Sequence, residues 1–322
     1  MDDVPPVAMS DVPPLRLATR GSPLARWQAH RVAALLAATG VASELVVVET
    51  EGDRRTDVPL STLGGQGVFV TEVQAAVVRG DADAAVHSAK DLPASDGLVR
   101  PDLVLAAVPE RADPRDVLVG GTLAGLATGA TVATGSARRR VQLADLRPDL
   151  TFTDLRGNMA TRLARAGRDG VAAVVVARAA LDRLGWEPPE GVPVETLAAS
   201  AVVPQVAQGA LAVECRADDR RTAALLGAID DPAARALVEA ERAFLAELGG
   251  GCTLPVGAHA TAVDGAPAGT LALTGVLAAA DGRIVLRHHD QGADGPALGR
   301  RVARFLLDDA GGAALGPWSP AG

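Results

Sequence analysis

Val86-His87-Ser88-Ala89-Lys90-Asp91-Leu92-Pro93 places an imidazole, an amine and a carboxylate within one short stretch of chain. A small apolar strand, Ala84-Ala85-Val86, is expected to end at its head, and Pro93 blocks any continuation into regular structure. His87, Lys90 and Asp91 then stand on a short turn at a strand's carboxyl end, where open α/β sheets place their ligands. Lys90 is the only lysine among 31 basic residues. Arginine cannot replace what it offers, a compact point charge that deprotonates more readily. A solvated Lys-Asp turn with no further role is the alternative these residues leave open.

Arginines gather where helices should start. Leu15 to Thr19 reads as a strand and Arg20-Gly21-Ser22-Pro23 as its turn, with Ser22 an N-cap and Pro23 the first helical residue. Such a helix start is a ready anion site, and Arg20 stands at its mouth. Thr131 to Thr134 is a second such strand, and Ser136 caps a helix that opens with Arg138-Arg139-Arg140. Three cations in a first turn oppose the helix dipole by several tenths of a kcal/mol each, and an anionic ligand would reverse that sign. Thr151 to Leu155 repeats the pattern, with Arg156-Gly157 as the turn and Asn158 capping a helix that carries Arg162. Val171 to Val176 is a buried-type strand, and the helix after it carries Arg183.

Other chemistries find less support. A serine-hydrolase elbow, a P-loop lysine and a G-x-G-x-x-G opening a helix are all missing. The two cysteines, Cys215 and Cys252, cannot form a disulfide framework. Cys215 sits in an apolar strand-end context and reads as a structural thiol. Thiol catalysis at Cys252 would need a base such as His259, a placement the sequence leaves open. His288-His289-Asp290 resembles a metal cluster only in composition, because a strand would turn the two histidines to opposite faces. The net charge of −8 argues against nucleic-acid binding. The first 14 residues, acidic and proline-rich, read as a disordered tail rather than a signal peptide, and no apolar stretch reaches membrane-spanning length. A cytoplasmic protein is expected.

The elements that must position these groups alternate strand and helix, which predicts a mainly parallel sheet with helices on both faces. After a strand near Glu44 to Glu49, residues 52–67 read as a long loop; Phe69 follows, then a helix from Thr71 to Arg79. Residues 103–119 cross into a second α/β unit. Pro204 to Glu214 supplies a strand expected to return to the first sheet, so that two lobes enclose a hinged cleft. Asp231-Pro232 opens a strong amphipathic helix to residue 248, followed by two or three strands with an Asp281-Gly282 turn, a helix near 296–308 and a loose tail from 316. The predicted division is a tail at 1–14, a first domain of 15–106 with 203–228, a second of 107–202, and a third of 229–315. From these residues alone the chain is a cytoplasmic two-lobed polyanion binder with one acid and one thiol nearby, enzyme or sensor.

VHSAKDLP, Leu155-Arg156-Gly157-Asn158 and Gly250-Gly251-Cys252, in that order along the chain, resemble the porphobilinogen deaminase (hydroxymethylbilane synthase) family. The resemblance implies an α/β fold of three domains, two of them type II periplasmic-binding-protein-like lobes and the third a small α+β domain. It implies a dipyrromethane cofactor bound through a thioether to Cys252, made from the enzyme's own substrate and used as a primer. Four porphobilinogens are then added with loss of ammonia, and hydroxymethylbilane is released by hydrolysis. The family's catalytic aspartate falls on Asp91, which would stabilise the cationic azafulvene and shuttle a proton. Its cofactor- and substrate-binding residues fall on Arg20, Ser22, Phe69 and Lys90 in the first domain. In the second they fall on Ser136, Arg138, Arg139, Arg156, Arg162 and Arg183. No metal, nucleic acid or membrane is implied, and a monomer is expected. The family often has lysines where this chain reads Gln66 and Thr71, and Gln205, Ala207 and Gly249 also depart from its pattern.

Overall fold

A computed structural model describes residues 13–49, 70–94, 100–249 and 255–315. Phe69, Cys252, Gln66, the loop expected at 52–67, the C-terminal tail and residues 1–12 lie outside them. Among the described residues the chain forms three sheets, two of five strands and one of three.

In the first sheet β1 (Leu15–Arg20) runs parallel to β2 (Ser43–Val48) and β3 (Ala84–Ser88). Alternation along β1 sends Leu17 to one face and Ala18 to the other. Leu17 joins the core under α1 (Pro23–Ala38), which contributes Ala29, Val32 and Leu36. Ala18 joins Val73, Ala76 and Val77 of α2 (Thr71–Val78). Both faces are therefore covered, as a parallel sheet requires. The start of α1 follows the sequence: Ser22 Oγ accepts from the Ala25 amide at 3.3 Å, with Pro23 in the first turn.

From β4 (Leu103–Ala107) the chain leaves for the second sheet. There β5 (Asp116–Val119), β6 (Thr131–Ala133), β7 (Thr151–Thr153), β8 (Ala173–Ala177) and β9 (Val194–Thr196) take the order β7-β6-β8-β5-β9. The all-apolar β8 is buried along its whole length. Helices α3 (Ala137–Leu146), α4 (Met159–Leu163) and α5 (Arg178–Arg183) follow β6, β7 and β8 respectively. The chain then returns, and β10 (Leu211–Arg216) inserts between β3 and β4, antiparallel to both. Residues 204–210, expected to belong to this strand, do not. Ala207 (φ 58°) and Gly209 (φ 87°) take left-handed backbone that a strand cannot contain. A Cβ at Gly209 would run into the Ala112 carbonyl, so the crossing of the two inter-lobe segments requires glycine there.

After α6 (Arg220–Gly227), α7 (Pro232–Glu247) leads into an antiparallel sheet of β11 (Val256–Ala262), β12 (Leu271–Ala278) and β13 (Val285–Gly292). Gly282 (φ 75°) lies in the β12–β13 connection, as expected. α8 (Gly295–Arg304) packs on α7, and Phe244, Leu273, Leu298 and Val302 fill the core between helices and sheet. The molecule is thus a mixed α/β structure of two sheet-containing lobes and a small C-terminal sheet-and-helix unit.

Candidate active site

The turn after β3 is one 3₁₀ turn, Ala89–Asp91, pinned by the Ala89 amide donating to the Ala210 carbonyl at 3.1 Å. His87 is not on it. β3 continues to Ser88 because β10 supplies partners as far as Leu211, and this buries His87 in the sheet. Its Nε2 lies 3.2 Å from Glu214 Oε2, and that oxygen accepts from Gln74 Nε2 at 2.8 Å. Burial alone would raise the Glu214 carboxyl; His87, the Gln74 hydrogen bond and the charge of Arg242 together outweigh it and hold the group below its usual range. The imidazole is therefore part of the platform beneath the turn, and Lys90 and Asp91 are the groups the turn presents.

Lys90 is not a freely solvated cation. Its Nζ donates to Gln208 Oε1 at 3.3 Å. Burial draws its ammonium down from 10.5 to about 8, against the pull of the neighbouring Asp91 carboxylate. Asp116 also favours the charged form, while Arg138 and Arg139 oppose it.

At the start of α3, Ser136 Oγ accepts from the Arg139 amide at 3.4 Å, a long cap but the expected one. The three arginines diverge. Arg140 lies on the surface with Asp154 at 2.8 Å. Arg138 and Arg139 turn inward to Asp116, which is fully buried at the head of β5. Asp116 Oδ1 accepts from Arg139 Nε and Nη2 at 3.0 and 2.8 Å, and Oδ2 lies 2.8 Å from Arg138 Nη1. The counter-charge expected from a ligand is thus supplied in part by the protein itself. Burial would push the Asp116 carboxyl up; the two guanidinium charges prevail and hold it far below the usual carboxylate range. Arg138 Nη1 makes its directed hydrogen bond to the Val203 carbonyl at 2.7 Å, and Arg138 Nε and Nη2 are buried without hydrogen-bond partners among the described residues.

Arg162 joins this group. Burial, then the charges of Arg139 and Arg156, push its guanidinium down, while Asp91 acts in the other direction. Asn158 caps α4 through the Thr161 amide at 2.9 Å, and Arg162 Nε donates to the Gly157 carbonyl at 2.8 Å. Arg156, Arg162, Arg138, Arg139, Lys90 and Asp91 are therefore brought within electrostatic reach of one another. Arg183 is placed differently. It donates to the Gly209 carbonyl at 2.6 Å, lies 5.8 Å from the Trp27 ring centroid, and is lowered to about 10 by burial. Arg20 ends β1, and Ser22 uses its hydroxyl as the α1 cap.

Sequence reasoning missed Asp116 and Gln208. An acid heading the otherwise apolar Val117-Leu118-Val119 was the available signal, since such a buried carboxylate needs cations. Cys215 is buried, and burial pushes its thiol up to about 11, as suits a structural cysteine. His288 stacks on Phe305 with centroids 3.7 Å apart, His289 Nδ1 lies 3.1 Å from Thr274 Oγ1, and no metal-type cluster exists among the described residues. No described helix is long and apolar enough to cross a membrane.

The arrangement suits a ligand with several carboxylates. Five cations surround two acids, Asp91 and Asp116, and Arg138 retains two buried donor nitrogens that only an acceptor could satisfy. Residues 15–224 match a family model described as the porphobilinogen deaminase dipyrromethane cofactor-binding domain, and residues 236–308 match the porphobilinogen deaminase C-terminal domain. A porphobilinogen deaminase of Acidothermus cellulolyticus is 46% identical over 302 residues, covering 91% of this chain and 88% of that protein. One of Roseiflexus castenholzii is 47% identical over 307 residues, covering 94% and 98%. Among solved structures, the methionine-binding protein MetQ is similar over 69% of this chain and 91% of its own, at 14% identity and a TM-score of 0.40, too weak a likeness to bear on function. With matches that span both lobes and the C-terminal unit, the chain belongs to the porphobilinogen deaminase family.

Proposed function

We propose that the chain builds hydroxymethylbilane from four molecules of porphobilinogen, adding them in turn to a dipyrromethane primer attached through a thioether to Cys252. Four porphobilinogens and one water give one hydroxymethylbilane and four ammonia. At each addition the C–N bond to the departing amine breaks, a C–C bond to the ring already held forms, and that ring loses a proton. Each pyrrole carries an acetate and a propionate, so every addition brings two more negative charges into the cleft.

The observation that carries this reading is the excess of cations over acids around Asp91, with two buried donor nitrogens of Arg138 left over. When bound, dipyrromethane supplies a nucleophilic pyrrole carbon and a set of carboxylates. Lys90, Arg138, Arg139, Arg156 and Arg162 would hold those carboxylates by charge-assisted hydrogen bonds, each worth about 1.5–3 kcal/mol. Arg20 and Ser22 at the start of α1, Ser136 at the start of α3, and Arg183 and Phe69 belong to the same binding set. Asp91, fixed on its 3₁₀ turn, stabilises the cation that incoming porphobilinogen becomes as ammonia leaves, and takes the proton released on coupling.

We read the chain as a cytoplasmic monomer that binds neither nucleic acid nor membrane. Its domains are 15–106 with 203–228, 107–202, and 229–315. The return of β10 to the first sheet and the place of β5 in the second support that division.

Intact mass of freshly purified protein tests the attachment. The expected result is an adduct of two linked pyrrole units, lost in Cys252→Ala and kept in Cys215→Ala. An unmodified mass for active protein would overturn it.

A further inference from the structure

The Gln-Gly pair at 208–209 has no part in the chemistry above, yet Gln208 is fully buried where the two lobes meet. Its amide nitrogen donates to the Pro114 carbonyl at 2.7 Å and to Asp116 Oδ1 at 2.8 Å. Its oxygen accepts from Lys90 Nζ at 3.3 Å and, at the limit of hydrogen-bond distance, from Arg139 Nη2 at 3.5 Å. Two donors and two lone pairs are all that a primary amide has, so the side chain is saturated. Its orientation is also determined. A flipped amide would set its oxygen against the Asp116 carboxylate and its NH₂ against two cations. The backbone is held as firmly, because the Gln208 carbonyl accepts from Arg111 Nε at 3.0 Å.

We propose that Gln208 is a positioning residue for the condensation: one amide fixes the Lys90 amine of the first lobe against the Arg139–Asp116 pair of the second. The proposal rests on the reading of Lys90 and Asp91 given above. Lys90 and Arg139 are like charges drawn to one oxygen, which offsets part of their repulsion. Lys90 is faced by Asp91 from its own turn, Asp116 from β5, and Arg138 and Arg139 from α3. Without the amide oxygen it keeps the two cations and loses a neutral acceptor. Asp91 is the next residue, so whatever displaces Lys90 also displaces the reacting carboxylate.

The chain's composition provides the test. With a single lysine, holoenzyme grown on lysine ¹³C-labelled at the ε-carbon gives one side-chain resonance, which disappears in Lys90→Gln. Its titration reads Lys90 directly, whatever the activity. Gln208→Leu removes the acceptor and should lower the midpoint by at least about half a pH unit relative to wild type. Gln208→Met, which keeps the length of the side chain but offers no strong acceptor, should lower it by a similar amount. Loss of packing alone would spare the Met variant. Both variants should also lose at least about tenfold in kcat/KM, and the limb where activity falls at alkaline pH should shift with the resonance. A Lys90 midpoint unchanged in both variants would overturn the proposal. Where Gln208→Leu does not fold, Gln208→Met decides: a lowered midpoint supports the contact and an unchanged one refutes it. Full kcat/KM in Lys90→Gln would instead refute the underlying reading of Lys90, and the titrations would still judge Gln208 separately.

Discussion

Set side by side, the two five-stranded sheets each run three parallel strands, then one antiparallel strand, then an outer strand: β2-β1-β3-β10-β4 and β7-β6-β8-β5-β9. The antiparallel strand comes from the crossover in each case. What they carry at the strand ends differs. The first lobe presents a carboxylate and a lysine on a turn one residue past the strand, with the ammonium drawn down by burial. The second presents arginines at helix starts, and two of them are anchored on a buried carboxylate of its own. An exposed trio of arginines would have to be ordered by each incoming anion. Arginines already fixed by Asp116 need little reorganisation when charge arrives, which is how preorganised electrostatics gains over solvent. The first lobe supplies the reacting acid, and the second supplies a field set in advance.

Removing the anchor breaks this contrast most severely. Asp116→Asn keeps the volume but leaves two buried guanidinium groups uncompensated, a loss of about 3–5 kcal/mol. Urea unfolding followed by hydrogen exchange should show protection falling first in the second sheet. The Asp116 carboxyl is depressed in the folded state, so its contribution is present above its unfolded value and fades as the pH falls below about 4. The difference between wild type and variant should therefore narrow there. Equal stability of the two proteins at pH 7 would show that the arginines do not need this anchor. Next in size is Asp91→Asn, expected to cost at least about a hundredfold in kcat, as for loss of one preorganised charged group, with little change in stability. Near-normal turnover would move the acid's role elsewhere. Smallest is Lys90→Arg, which keeps the charge but replaces a compact ammonium by a planar fork able to claim Asp91 bidentately. A loss of at least about tenfold in kcat is expected, with normal folding and with Arg79→Lys unchanged as the control. Equal rates in both variants would mean that the first lobe needs only a cation at this position.

The features legible in the sequence are the ones whose causes are local. Ser22, Ser136 and Asn158 each cap a helix through an amide three residues on, so the strand–turn–helix starts and their arginines can be read directly. The sign anomaly of Arg138-Arg139-Arg140 leads to an anionic ligand, whereas the anion placed against Arg138 and Arg139 is the protein's own Asp116. Asp116 lies 23 residues from Arg139 and Gln208 lies 92 from Asp116, and no spacing rule connects them. His87 illustrates the same limit. The end of β3 is set by how far β10 pairs alongside it, with Ala212 opposite His87 and Leu211 opposite Ser88. A strand boundary fixed by a partner more than a hundred residues away cannot be found in the strand's own residues. The turn to left-handed backbone at Ala207 and Gly209 is likewise imposed by the crossing of two segments.

The position of β10 has a consequence for synthesis. Every strand of the second sheet lies between residues 116 and 196, so that sheet can close as soon as the ribosome has released them. The first sheet, though begun earlier, lacks its fourth strand until Leu211–Arg216 emerges, and until then β4 has no neighbour and β3 has a bare edge. On a growing chain made at about 5–20 residues per second, the lobe begun first is therefore the lobe completed last. The acid-bearing turn gains its backbone anchor at Ala210 only after the arginine-bearing lobe has been made.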